Sequence, residues 1–500
     1  MRSLLLLLAS LWLAVPQASA CGPRAKVGGV DLDSATVEDL RAALDSGRTT
    51  SVALVKAYQA RIAACNDELH AVISMNPQAL ADARAADTAR KAARLKSPLH
   101  GIPVLIKDNI DVAGQVTTAG SLALTENLRD TDAPLVARLR DTGAILLGKA
   151  NLSEWANFRS RDSSSGWSAV GGLAVNPHDR SRTACGSSSG SAVAVAAHLA
   201  PLAIGTETNG SIVCPSSMNG LVGLKPTVGL VAQQGIVPIS HTQDTAGPMT
   251  SSVRDAAILL AAIQTKEGAP SNYTDALRPD ALKGVRLGVA RFIKGYSPPT
   301  NPVFEAALAT LKAAGAELVD IDQFDFQDLG ALEMTLLLTE FKVDLNAYLA
   351  DMPAAVKSRT LEDLIAFNRA EPRELEYFDQ GIFESAQATQ GLDSAPYNWS
   401  LPKALAIARG GIDSLLKEHN VVALIAPTTG PAWTIDLVNG DSGSGSASSL
   451  AAIAGYPHLT VPMGEARGLP VGLSFFGRAW DEQTLLNLGY VFEQARRRSR

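Results

Sequence analysis

Apolar and polar positions along this chain fall into blocks of two different periods. From Thr36 to about residue 95, apolar residues recur at helical spacing and predict helices over 36–46, 51–65 and 78–95, with Gly47 placed to end the first. The pattern then tightens. Gly101-Ile102-Pro103-Val104-Leu105-Ile106 is a short apolar run closing on Lys107-Asp108-Asn109, which predicts a buried strand that ends at Lys107. A helical stretch near 132–142 leads to a second run, Ala144 to Leu147. Strand, helix and strand with short joins predict parallel pairing.

Further on, Ser153 to Gly172 is serine-rich and loop-like, with Trp155 and Trp167 open to two roles, pocket wall or packing. One apolar segment, Ala192 to Ile204, separates two loops rich in glycine and serine. Strand patterns return at Leu221 to Leu224, Val285 to Ala290, Glu317 to Ile321, Val421 to Ala426, Leu459 to Val461 and Val471 to Phe476. Helical patterns cover 252–264, 302–314 and the stretch from Asp481. Residues 330–420 read as a mainly helical insertion lying on the sheet, beside the site or simply over the core. Asn439 to Ser449 is a Gly/Ser loop that can face the site, and Arg496 to Arg500 reads as a solvated tail.

Composition narrows the class without choosing the chemistry. With 46% hydrophobic and 19% charged residues over 500 positions, the chain can bury a large core, as one domain or two intimate ones. A net charge of −6 gives no footprint for nucleic acid. Arg2, the apolar run Leu4 to Val15 and Ala18-Ser19-Ala20 read as an export signal over 1–20, too short to span a membrane. The expected mature domain is then 21–500, periplasmic or secreted. Cys21 stands where a lipid anchor would attach, although Ala18 occupies a place where a bulkier aliphatic normally precedes a lipidated cysteine. Cys21 and Cys65 are a possible bridge, while Cys185 and Cys214 read as two small buried hydrophobes in preference to a bridge. No Cys/His spacing resembles a metal site, and no cofactor is expected.

The chemistry concentrates between Cys185 and Pro215. Gly186-Ser187-Ser188-Ser189-Gly190 satisfies the G-x-S-x-G elbow, which would make Ser188 the nucleophile. That elbow should follow an apolar strand, whereas Asp179-Arg180-Ser181-Arg182-Thr183 precedes it here. A phosphate-cradling loop lacks its Gly-Lys-Ser/Thr ending.

The paired loops, Gly186 to Ser191 and Gly205-Thr206-Glu207-Thr208-Asn209-Gly210-Ser211, resemble those of the amidase signature family. Gly101-Ile102-Pro103…Lys107-Asp108-Asn109, Gly148-Lys149…Asn151…Glu154 and Gly223-Leu224-Lys225-Pro226-Thr227 extend the likeness over most of the chain. Within the family it is closest to the bacterial peptide amidases, on Leu152 to Phe158, Ser165 to Ser168 and Gln243 to Pro248. The resemblance implies an α/β fold: a single large mixed, mostly parallel sheet covered by helices on both faces. It implies Ser211 as acyl-forming nucleophile, Ser187 as proton bridge after a cis peptide, and Lys107 as base. It also implies an oxyanion hole from backbone N–H groups of Thr208, Asn209, Gly210 and Ser211. Most of the family has glycine where Asn209 and Ser189 stand. The implied activity is removal of the terminal amide from C-terminally amidated peptides, with small peptide amides as the partner molecules. A broader acylamide or fatty-acid amide hydrolase is the alternative, and an amidotransferase-subunit or amide-binding role a weaker one. His178, His198 and His241 lie near the motifs and are read as structural.

Overall fold

The computed structural model describes residues 26–498. The export signal, Cys21 and the expected domain start at 21 lie outside the described residues. Eleven strands form one sheet: β1 Val72–Met75, β2 Pro103–Lys107, β3 Ile145–Ala150, β4 Leu202–Glu207, β5 Val222–Lys225, β6 Thr245–Thr250, β7 Arg286–Ala290, β8 Glu317–Ile321, β9 Ala423–Pro427, β10 His458–Ala466 and β11 Leu469–Phe476. Across the sheet they run β8, β7, β9, β11, β10, β5, β6, β4, β2, β3, β1.

A large mixed sheet with helices around it is the expected architecture, but it is not mostly parallel. Of the ten neighbouring pairs, β7/β8, β7/β9, β2/β3 and β2/β4 are parallel, and the other six are antiparallel. Connection length accounts for the division. Helix Pro134–Asp141 carries the chain from β2 to β3, and helix Thr300–Ala313 from β7 to β8, so these pairs can be parallel. Arg467 and Gly468, both at positive φ, turn β10 straight into β11, which forces an antiparallel pair.

The alternation along β10 shows why both faces need cover. Leu459 and Val461 enter an apolar cluster with Leu485 and Phe492 of helix Glu482–Arg498. His458 and Thr460, between them, bond Ser474 and Thr428 in the opposite layer. That last helix runs through Arg498, so Arg496 to Arg498 are not a tail.

Two central strands depart from the sequence pattern. β4 continues the apolar composition of helix Ser189–Ala196, and the period alone does not mark where one ends and the other begins. β6 contains Gly247-Pro248, which signals a loop. Its ladder with β5 uses only Met249 and Thr250, so no N–H at 248 is required on that edge.

The stretch read as an insertion carries helices at Leu329–Ala350, Leu361–Ala370, Gly381–Gln387, Ala395–Leu405 and Gly411–Glu418. Phe341 and Phe383 from it bury Trp155, whose ring meets Phe383 edge-on at 5.6 Å. Trp167 packs against Phe378 at 5.1 Å. Both tryptophans therefore serve packing.

Candidate active site

The site forms where β2 and β4 end side by side. Every residue of β2 is buried, and the strand carries Lys107 fully inside the protein. Its Nζ lies 2.7 Å from Ser187 Oγ, 2.8 Å from Thr206 Oγ1 and 3.3 Å from the Thr206 carbonyl oxygen. Burial pushes the Lys107 ammonium down to about 7, against the opposing charges of Asp244 and Glu207. Lys149, on the neighbouring β3, is equally buried but sits 3.0 Å from Asp108, so its charge is neutralised in place. Lys107 bonds no described carboxylate, only Ser187 and Thr206, and that difference leaves it free to act as a base near neutral pH.

The first serine loop follows Thr183. The Gly186–Ser187 peptide is cis, as the resemblance implied. Ser188 is a brace: its hydroxyl donates to the Thr206 carbonyl at 3.0 Å and accepts the Thr206 N–H at 3.1 Å. Ser189 Oγ donates to the Cys185 carbonyl at 2.6 Å, so this hydroxyl ties the loop to the start of the helix.

Glu207 shapes the second loop. Its carboxylate accepts the N–H groups of Ile212 at 2.8 Å and Val213 at 3.0 Å, folding residues 208–211 back over the end of β4. Gly210 has φ +84°, and a Cβ there would press on Ser448, so glycine is required. The backbone N–H groups of Asn209, Gly210 and Ser211 have no acceptor among the described residues, leaving them available for an oxyanion. Ser211 keeps 9% of its surface exposed while Ser187 and Ser188 keep none. Its carbonyl accepts the Ser188 N–H at 3.1 Å, which brings the two serine loops together; its own Oγ bonds no described residue.

Several supporting residues escaped the sequence reading because they come from distant segments. Thr208 Oγ1 donates to Asp244 at 2.5 Å, and Asp244 also accepts the N–H groups of Ile239 and Ser240. Burial raises the Asp244 carboxyl to about 6. Glu333, from the helical insertion, accepts from Asn209 Nδ2 at 2.7 Å and Gln243 Nε2 at 2.9 Å. Ser448 Oγ donates to Asn209 Oδ1 at 2.6 Å. The Asn209 side chain is thus an anchor for the loop. Asn209→Ala is expected to lower stability in urea by about 1–2 kcal/mol, since Glu333 loses a donor, and to slow amide hydrolysis about tenfold by loosening the loop. An unchanged rate would mean that Glu207 and Asp244 suffice.

Cys185 and Cys214 form a disulfide with a Cα separation of 6.0 Å, correcting the expectation of two unlinked hydrophobes. Their burial was read properly, but the folding-together of the two serine loops, which brings them within reach, is a tertiary event. Cys65 is also disulfide-bonded, and its proposed partner Cys21 lies outside the described residues. Removing the Cys185–Cys214 link frees a loop of 29 residues. Cys185→Ala with Cys214→Ala is expected to lower unfolding free energy by about 3–4 kcal/mol, and reductant should have no further effect through this bridge.

An open cavity of about 440 Å³ adjoins these loops, bordered by Gly186, Asn209, Gly210, the disulfide, Trp433 and the 441–446 loop. The Gly/Ser loop therefore does face the site. No described histidine bonds Ser187, Ser188 or Ser211: His178 bonds the Asn219 carbonyl and His241 bonds Asp344. His241, Glu340 and Asp344 have donor atoms within 4.8 Å of one another, but Ser240, Thr242 and Tyr397 already occupy Glu340.

The comparisons place this fold and site among hydrolases. The Amidase family model matches residues 53–486, and the chain belongs to this family of amidase signature enzymes: it hydrolyses amides. The native peptide amidase from Stenotrophomonas maltophilia is 48% identical, with 92% of this chain and 97% of that one covered and a TM-score of 0.87. A peptide amidase in complex with the competitive inhibitor chymostatin shares that identity and coverage, with a TM-score of 0.88. A probable amidase of Arabidopsis thaliana is 39% identical, over 93% of this chain and 90% of the relative.

Proposed function

We propose that this enzyme removes the terminal amide from C-terminally amidated peptides, with Ser211 as nucleophile, Ser187 as relay and Lys107 as base. The observation that carries the reading is the 2.7 Å contact between the desolvated Lys107 Nζ and Ser187 Oγ, one residue from the peptide N–H that bonds Ser211. Neutral Lys107 accepts the Ser187 proton while donating to Thr206. Ser187 takes the proton of Ser211, whose oxygen attacks the amide carbon. The carbonyl oxygen gains negative charge facing the N–H groups of the Asn209–Ser211 turn, with Thr208 held by Asp244 at the turn's start. As the C–N bond breaks, Lys107 returns its proton through Ser187 and ammonia leaves. Water then repeats the cycle on the acyl-serine, releasing the peptide acid. Protonated Lys107 donates to Ser187 Oγ, Thr206 Oγ1 and the Thr206 carbonyl, so all three of its protons have acceptors.

Peptide deamidation is favoured over a broader acylamidase by the relatives named peptide amidase and by a cavity in which serines, two asparagines and one carboxylate stand beside Trp433, Met218 and the disulfide. Ammonia release over a panel of amidated peptides, free primary amides and long-chain acylamides tests this. Peptide amides should give the highest kcat/KM, and preference for long-chain acylamides would overturn the substrate assignment.

Export through residues 1–20 to the periplasm or medium, leaving 21–500 as one amidase unit, completes the proposal, with Cys21 as the point of any lipid tether. The Cys185–Cys214 disulfide favours an oxidising compartment. No described helix is long and apolar enough to cross a membrane. Cell fractionation and the mass of the mature N-terminus test both points.

A further inference from the structure

Among the residues lining the cavity beside Ser211, Asp441 alone carries a charge. Its Oδ1 accepts from Ser165 N–H at 3.0 Å and Trp433 Nε1 at 3.1 Å, and its Oδ2 accepts from Ser165 Oγ at 2.5 Å. All three donors are neutral. No described lysine, arginine or histidine pairs with this carboxylate, so its charge is uncompensated. Asp441 is an exposed residue at the cavity rim, and partial burial of its carboxylate with no cation beside it holds the carboxyl above the usual carboxylate range. Half-buried Trp433 lies against it and packs on the Cys185–Cys214 bridge, adding an indole to the same wall.

A fixed carboxylate beside an indole favours an ammonium or guanidinium and repels an anion. The leaving group of the reaction is only ammonia, so the bulk of any substrate belongs to the acyl side and must be received by the cavity. We propose that Asp441 selects amides carrying a cationic group on the acyl side of the scissile bond. This rests on the peptide-amide reading above. A free α-ammonium at the start of a short peptide and a lysine or arginine side chain offer the same chemistry.

The test compares kcat/KM for ammonia release from a dipeptide amide with a free amino terminus and from its N-acetylated form. A second set uses N-acetylated dipeptide amides with lysine, norleucine or glutamate before the amidated residue. Cationic substrates should lead their neutral counterparts by about tenfold, the scale of one charge-assisted hydrogen bond, and the glutamate substrate should be the poorest. The advantage should shrink with added salt. Asp441→Asn keeps the side-chain shape and an oxygen for Ser165 and Trp433 while removing the charge, and should bring the ratios close to one. Because the readout is a ratio within each protein, a general loss of rate does not obscure it.

An advantage confined to the free-amine peptide identifies the terminal ammonium as the recognised group, and one confined to the lysine peptide identifies the side chain. Equal turnover of cationic, neutral and anionic amides by the wild type overturns the proposal, as do ratios that persist in Asp441→Asn. Turnover of no peptide amide at all overturns the underlying reading and this proposal with it.

Discussion

Ser211→Ala is expected to abolish ammonia release from an amidated peptide, with kcat falling on the order of 10⁴-fold or more, the range lost when an acyl-forming serine is deleted. The variant should fold as the wild type does. Ser211 Oγ bonds no described residue, so its removal strands no partner, and the stability change should stay within about 0.5 kcal/mol. The neighbouring serines separate catalysis from support. Ser188→Ala deletes two bonds to Thr206 and should lower stability by about 1–3 kcal/mol, with a smaller loss of rate than Ser211→Ala. Kinetics and urea unfolding on the two variants decide between the frames. Full activity in Ser211→Ala, with complete loss in Ser188→Ala, would restore the G-x-S-x-G elbow and remove the relay mechanism.

The second large effect concerns the base. Lys107→Met is expected to cut activity about 10³-fold or more, within the range by which removing a general base and its proton path slows catalysis. Its stability should move the other way. The wild-type ammonium ordinarily titrates at 10.5 and is held here at about 7, so between these values the unfolded chain binds more protons than the folded one. Wild-type stability from this group therefore rises with pH across that window and is lowest below about 7. A methionine of similar length removes the penalty, and its advantage in unfolding free energy should grow as pH falls from 10 to 7. In the wild type, kcat/KM should climb as pH rises through about 7, because only neutral Lys107 can accept the proton. A flat profile across pH 6–8, or a Lys107→Met enzyme that retains its rate, would point to another base.

The legibility of this site followed the range of the interactions that make it. Lys107 was readable because an apolar run ending on a charge encodes burial locally, and the structure puts it at 0% exposure. The two serine loops were readable because each is contiguous, with Gly210 at the positive φ that the turn needs. Ser188 fits a nucleophile elbow in isolation, the polar residues before it already argue against that, and the reciprocal bonds to Thr206, 18 positions away, show what it braces. Asp244, Glu333 and Asp441 had no local signature for their contacts, although Asp244 lies in the stretch Gln243 to Pro248 and Asp441 in the Asn439 to Ser449 loop. They reach their partners from 36, 124 and 276 positions away respectively, through bonds to Thr208, Asn209 and Ser165.

The fold shows the same division. Runs such as Val285 to Ala290 and Val471 to Phe476 predicted strands within one or two residues of their observed ends, since the apolar pattern responds to burial alone. Strand direction depends instead on which segments become neighbours, so the antiparallel centre between β6 and β9 lay beyond the pattern. Around Ser211, the sequence by itself determined the order of the loops, the glycine at 210 and the burial of Lys107, because backbone angles and hydrophobicity act over a few residues. Tertiary structure alone decided the Cys185–Cys214 link, the Asn209–Glu333 anchor and the uncompensated charge of Asp441, because each depends on distances set by packing remote segments onto one sheet.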